Sequence, residues 1–250
     1  MKAFVTGGSR GIGRGILQVL TDAGYDAAFT YNSSEDGAKS IAAEIEAKGR
    51  RAYYWQASLE SRGVPENVTA KAIDALGGID LLVCNAGKTI HHSLPKLKEE
   101  DCDYIYGLNY RAYLMCASVA SRNMIENGVK GSIIFITSTR SLRAYPEDVL
   151  YGGLKAALNR SVESMALEMA QYGIRVNAVA PGYTAIRGNF TPEELSAGGF
   201  TPKIPLKRMG SPKEVGCLVK YLASEEAAYI TGDIIKIDGG LILPGTPERG

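Results

Sequence analysis

Apolar positions along the chain follow two alternating rhythms. Short runs predict strands at Lys2–Thr6, Asp26–Tyr31, Arg51–Gln56, Ile79–Cys84, Ser132–Thr137, Ile174–Ala180 and Asp233–Ile237. Ile79-Asp80-Leu81-Leu82-Val83-Cys84 and Ile133-Ile134-Phe135-Ile136 are nearly continuously apolar, the pattern of strands covered on both faces of a parallel sheet. Between the runs lie segments of helical period. Ile12–Ala23 stops at Gly24 and Ser34–Lys48 at Gly49, each glycine suiting a left-handed helix stop. Ser211-Pro212-Lys213-Glu214 combines a capping serine, a first-turn proline and a glutamate placed to close a capping box. This alternation predicts an α/β fold: a doubly wound, seven-stranded, mostly parallel sheet with helices on both faces, in one domain over residues 1–250. Gly182–Gly210, rich in Gly and Pro, lacks periodicity and is the candidate lid. Val162, Met165, Ala166 and Met169 recur at helical spacing and belong to the core or a subunit interface.

Composition narrows what such a fold serves. The 250 residues are 45% hydrophobic and 22% charged, enough to bury a core without a disulfide or metal staple. Lysine plus arginine number 28 against 27 acids, and this balance argues against nucleic acid or a membrane surface as partner. No run reaches the ~18 apolar residues of a membrane span. The first strand runs straight into a glycine loop, without the apolar stretch of a secretory signal. Cys84, Cys102, Cys116 and Cys217 form no CxxC pair and no His/Cys ligand spacing, so no metal is expected. A cytoplasmic enzyme is the expectation.

Thr6-Gly7-Gly8-Ser9-Arg10-Gly11-Ile12-Gly13 joins the first strand to the first helix with spacing GxxxGxG. Glycines let the backbone turn tightly and approach a pyrophosphate, and the helix N-terminus offers unpaired N–H groups to it. The alternative is a glycine-rich βα turn with no ligand. An enzyme that prefers NAD usually places a carboxylate at the end of the second strand for the ribose 2′-hydroxyl. Here that end reads Tyr31-Asn32-Ser33-Ser34, without an acid, and Arg10 is placed to pair with a 2′-phosphate unless it is simply solvated. NADP(H) is therefore the preferred cofactor, with NAD(H) possible.

Tyr151 and Lys155 lie one helical turn apart on one face. A phenol titrates near ~10, and a neighbouring cation lowers that value toward a usable general acid or base. Ser138 lies thirteen residues earlier, at the C-terminal end of a strand, the edge where open α/β sheets bind ligands. Its hydroxyl can hold a substrate carbonyl; the alternative is a turn former.

Together these motifs resemble the short-chain dehydrogenase/reductase family in its compact, single-domain Rossmann form, similar to 3-oxoacyl-carrier-protein reductases. The resemblance rests on Thr6–Gly13, Asn85-Ala86-Gly87, Asn109, Ser138 with Tyr151 and Lys155, Pro181-Gly182 and Asp238-Gly239-Gly240. It implies interconversion of a ketone and a secondary alcohol by hydride transfer. Tyr151 would be the acid/base, Lys155 would hold the nicotinamide ribose and lower the tyrosine's pKa, and Ser138 would orient the carbonyl. Asn109 would organise a water linking Lys155 to solvent. Cofactor contacts are implied for Gly7, Ser9, Arg10, Gly11, Ile12 and Gly13 in the loop, and for Tyr31, Asn32 and Ser33 after the second strand. Further contacts are implied for Asn85, Ala86, Gly87, Pro181, Gly182 and Thr184, besides Tyr151 and Lys155. Two positions depart from the pattern. Ser58, followed by Leu59, stands where an acid often meets adenine, and Cys84 stands where an asparagine is frequent. A homo-oligomer, dimer or tetramer, is implied as well.

Polar residues cluster where the family builds its substrate pocket: His91 and His92, Arg140 and Arg143, Tyr183 and Arg187. Two arginines near the carbonyl site suit an anionic or polar substrate, or else face solvent or another subunit. The polarity also suits a sugar or polyol dehydrogenase. A non-catalytic NADP(H)-binding regulator is the remaining alternative, disfavoured by the intact Asn109, Ser138, Tyr151 and Lys155 set.

Overall fold

The computed structural model describes residues 1–186, 191–196 and 201–243. Seven strands form one sheet: β1 (Lys2–Val5), β2 (Asp26–Tyr31), β3 (Ala52–Gln56), β4 (Leu81–Cys84), β5 (Ser132–Ile136), β6 (Arg175–Pro181) and β7 (Ile234–Ile237). Their spatial order is β3-β2-β1-β4-β5-β6-β7 and every pairing is parallel. The strands are those the apolar runs predict, with ends moved by one or two residues. Strand β4 begins at Leu81, one residue after Asp80, whose carboxylate accepts a hydrogen bond from the Lys2 amide at 2.7 Å.

The connecting helices are α1 (Gly11–Asp22), α2 (Glu35–Ala47), α3 (Val64–Leu76), α4 (Glu99–Tyr106), α5 (Ala112–Glu126), α6 (Val149–Met169), the short α7 (Pro192–Ser196) and α8 (Pro212–Ala223). Between α4 and α5, residues Gly107–Arg111 widen into a π-helical turn. Alternate strand residues face opposite layers. Phe4, Leu82, Ile133 and Phe135 pack with α3, α5 and α6, whereas Val5, Val83, Ile134 and Ile136 pack with α1, α2 and α8. Val162, Ala166 and Met169 of α6 are buried in the first of these layers, with Met165 against it, so that stripe is core.

Local chemistry ends the helices as expected. Gly24 and Gly49 follow α1 and α2 at φ +92° and +72°. At α8 the Ser211 hydroxyl accepts from the Glu214 amide at 3.2 Å, and the Glu214 carboxylate accepts from the Ser211 amide at 2.7 Å. Arg208 grips the same carboxylate through both guanidinium nitrogens, at 2.6 and 3.0 Å, and these bonds hold its pKa down at about 2. Helices α1 and α8 cross closely because of a glycine. A Cβ on Gly15 would lie 2.4 Å from the Pro212 carbonyl carbon.

Candidate active site

Because the sheet is parallel throughout, the loops after β1 to β6 open on one edge, as in other open α/β sheets. They line a cleft of about 750 Å³. At its floor the glycine loop is stitched to the end of β4. The Thr6 hydroxyl accepts from the Asn85 and Ala86 amides at 2.9 and 3.0 Å, and the Asn85 carboxamide donates to the Thr6 and Gly7 carbonyls at 2.9 and 3.1 Å. The loop needs glycine for two separate reasons. Gly7 and Gly11 have φ of +72° and +56°, while a Cβ on Gly13 would lie 2.1 Å from the Gly7 carbonyl oxygen.

The first turn of α1 contains no acidic residue, and no side chain caps it. Its N–H groups and positive dipole end are thus presented to the cleft, a fit for a pyrophosphate. Beyond it, Arg10, Asn32 and Ser33 are exposed at the rim and line the cleft together. Arg14 is turned away, its guanidinium paired with Glu44 and bonded to Ser40. No carboxylate at the end of β2 lines the cleft. A dinucleotide carrying a 2′-phosphate fits this donor set.

Ser138, Tyr151 and Lys155 meet at the other end of the same cleft. Ser138 follows β5, and its hydroxyl accepts from the Arg140 amide at 3.2 Å. Burial raises the Tyr151 pKa above its ordinary value, and the facing hydroxyls of Ser138 and Thr89 oppose the rise without cancelling it. Lys155 is 3% exposed, and loss of hydration lowers its pKa to about 7. The resemblance gives Lys155 two tasks, holding the nicotinamide ribose and lowering the tyrosine's pKa, and for the second the geometry differs. The Lys155 Nζ lies 5.8 Å from the Tyr151 ring centroid and donates instead to the Tyr113 hydroxyl at 3.1 Å and the Ile136 carbonyl at 2.9 Å.

Several residues singled out in the sequence stand elsewhere. Asn109 is fully buried in the π-helical turn, and its carboxamide is spent on the Lys88 backbone, accepting at 3.0 Å and donating at 2.7 Å. Its side chain therefore shapes the Asn85–Thr89 loop. Gly13 lies beneath the loop; Ser58 is exposed outside the lining, where Ala57, Leu59 and Glu60 stand instead. Thr184 pairs with Gly210 in an isolated bridge away from the lining, and Ile186 occupies the cleft wall. His91 and Tyr183 are exposed and off the lining, and Arg187 lies outside the described residues. Arg140 and Arg143 border a second cavity of about 500 Å³ with His92. Neither arginine is a bare cation there: Arg140 pairs with the buried Asp148 at 3.1 Å, and Arg143 donates to the Leu241 carbonyl at 3.3 Å. His92 lies 3.0 Å from Asp101.

The cleft also has walls that local sequence patterns do not single out, among them Glu60, Thr89, Tyr104 and Leu108. Each follows a strand or lies on a helix whose approach depends on tertiary packing. Among the described residues no group of three or more His, Cys, Asp or Glu is placed to hold a metal ion. No helix among them is long and apolar enough to cross a membrane.

The geometry is that of a dinucleotide cleft with a serine, a tyrosine and a lysine at one end. A family model described as enoyl-(acyl carrier protein) reductase matches residues 7–242. The chain belongs to the short-chain dehydrogenase/reductase family of oxidoreductases. It is 34% identical over 242 residues to the 3-oxoacyl-(acyl-carrier-protein) reductase FabG of Staphylococcus epidermidis, covering 96% of this chain and 98% of that one. It superposes on the acetoin dehydrogenase of Enterobacter cloacae with a TM-score of 0.91 at 35% identity, over 99% of this chain and 97% of that one. A blue fluorescent protein from a metagenomic library, solved in complex with NADPH, aligns with a TM-score of 0.88 at 32% identity, over 96% and 97% of the two chains.

Proposed function

We propose that this chain interconverts a ketone and a secondary alcohol with NADP(H), using Tyr151 as general acid and base. The observation that carries the reading is the convergence of Ser138, Tyr151 and Lys155 on the cleft opened by the glycine loop. A bound nicotinamide supplies the hydride that the carbonyl carbon accepts. The Tyr151 phenol, its pKa raised, carries its proton at neutral pH and is ready to donate it to the carbonyl oxygen in reduction. Ser138 orients that oxygen, and Lys155, buried at the same wall, presents its amino group to the nicotinamide ribose. Asn109 supports the site through the loop it holds, and the water relay assigned to it by resemblance would have to run from outside its carboxamide.

Three observations support NADP(H) over NAD(H): Arg10 at the rim, the donors Asn32 and Ser33 beside it, and the absence of a carboxylate there. The NADPH complex of the similar blue fluorescent protein points the same way. For the substrate, Arg140 is already neutralised by Asp148, which favours a neutral polar ketone over an acid. The likeness to an acetoin dehydrogenase supports a small hydroxyketone. The segment around residues 182–210, of which residues 187–190 and 197–200 lie outside the described residues, is proposed as the lid. A homo-oligomer would cover exposed apolar residues such as Leu167 on α6.

The test is NADPH and NADH oxidation at 340 nm over a panel of neutral and acidic ketones, with Tyr151→Phe beside the wild type. Turnover with NADPH that drops about 10²- to 10⁴-fold in the variant, with NADPH still bound, is the expected result. Undiminished turnover in Tyr151→Phe refutes the assignment.

A further inference from the structure

The lysine at the end of the cleft is held by a residue that no part of the motif set includes. We propose that Tyr113 is a positioning residue for Lys155, fixing the ammonium and favouring its charged state through its phenolic oxygen. The proposal rests on the function proposed above. Tyr113 lies on α5, 2% exposed, its ring edge-on to Phe135 at a centroid separation of 5.4 Å. Its hydroxyl accepts from the Lys155 Nζ at 3.1 Å and donates to the Ile136 carbonyl at 3.3 Å. The same carbonyl accepts from Nζ at 2.9 Å, closing a triangle of three hydrogen bonds. The Nζ also lies 4.5 Å from the Tyr113 ring centroid, within cation–π range.

An ammonium has three N–H donors. Two are spent in this triangle, which leaves one for the cleft that Lys155 lines. Tyr113 thereby sets the direction of the remaining donor. The titratable groups facing Lys155 are Tyr151 on its own helix, Tyr113 from α5 and Cys84 from β4, with Cys116 of α5 against Cys84. Among the described residues, no carboxylate acts on it. The charge is therefore supported by neutral oxygens, of which the Tyr113 hydroxyl is the one a side-chain substitution can remove.

Tyr113→Phe keeps the ring and its packing and deletes that oxygen. With one acceptor lost, the charged form is less favoured and Lys155 titrates lower. The experiment follows the ε-carbon of Lys155 by NMR in ¹³C-lysine-labelled protein without cofactor, wild type against Y113F, and the pH profile of ketone reduction in both. The expected results are a titration lower by about one unit and an alkaline limb displaced to lower pH by a similar amount, with the melting temperature lowered by about 4–8 °C for the two hydrogen bonds lost. A titration that does not move overturns the proposal. Should Y113F fail to fold, 3-fluorotyrosine incorporated at position 113 weakens the acceptor at nearly constant volume, and the same downward shift is required of it. Tyr151→Phe, assayed alongside, separates the two ideas. Retained turnover there refutes Tyr151 as the proton donor, while the lysine titration alone judges Tyr113.

Discussion

Replacing Lys155 by Met should stabilise the fold while removing its activity. The lysine's pKa falls from 10.5 to about 7 on burial, so the unfolded chain binds the proton more tightly than the native one. Linkage over that interval makes burial of the amine cost about 4 kcal/mol at pH 7. Methionine fills similar volume without that penalty. It loses the two hydrogen bonds to Tyr113 and Ile136, worth roughly 1 kcal/mol each. The Ile136 carbonyl is not orphaned, because the Tyr113 hydroxyl still donates to it. The net expectation is a gain of about 2 kcal/mol, or about 4–8 °C in melting temperature for a chain of this length. The sign also fixes a pH dependence. The lysine's share of wild-type stability rises from pH 7 toward 10.5, because the unfolded state holds the extra proton in that window, whereas the variant has no such contribution. Urea unfolding of both proteins at pH 7 and pH 9.5 measures this directly, with the variant's advantage shrinking at the higher pH. A Lys155→Met protein that unfolds at lower urea at pH 7, or whose gap from wild type is the same at both pH values, would refute the reasoning.

Four further outcomes follow from the geometry. Gly13→Ala, whose new methyl would stand 2.1 Å from the Gly7 carbonyl oxygen, displaces the loop and should weaken NADPH binding by calorimetry at least about tenfold, as expected of a group held close to a phosphate. Gly15→Ala forces α1 and α8 apart and should lower stability by about 1–3 kcal/mol in thermal melts. Asn32→Asp places a carboxylate where the 2′-phosphate is proposed to lie, so the ratio of NADPH to NADH efficiency should fall about tenfold or more in steady-state kinetics. Glu214, with its pKa at about 2 against an ordinary 4.5, contributes stability that is complete above pH 4.5 and lost as pH falls to about 2. Its partner pair is about 40% exposed, so Glu214→Gln should cost only about 1 kcal/mol at neutral pH, and the gap should close over that acid window in denaturation midpoints.

The sheet was legible because its information is local. Runs such as Ile133–Ile136 must be buried on both faces, and Gly24, Gly49 and the Ser211–Glu214 box mark helix ends by chemistry within a few residues. The Ser138, Tyr151 and Lys155 spacing was legible for the same reason, being set by one strand end and one helix. What stayed hidden depends on contacts distant along the chain. The Tyr113–Lys155 bond joins residues 42 apart, and nothing in the Tyr113 neighbourhood distinguishes it from a core aromatic. Arg140 reads as a free cation until Asp148 is brought against it, and the expected downward shift of Tyr151 fails because desolvation exceeds the help from its neighbours. Ser58 and Thr184, assigned to the cofactor by resemblance, lie off the cleft lining, where Leu59 and Ile186 stand instead.

The central place of β1 sets a constraint on how the chain is assembled. It precedes the other strands of this sheet along the chain, yet it lies between β2 and β4, and its second edge is closed only when Leu81–Val83 arrives against Ala3–Val5. The bond from the Lys2 amide to Asp80 spans 78 residues, and parallel pairings of this kind are slow to find because loop entropy is lost before contacts compensate it. A nascent or truncated chain ending before β4 therefore carries a naked apolar strand edge, the feature that recruits other chains into aggregates. Synthesis of this protein has a vulnerable interval, from the emergence of β1 until β4 arrives to cover it, and chaperones that hold exposed strands would act within it.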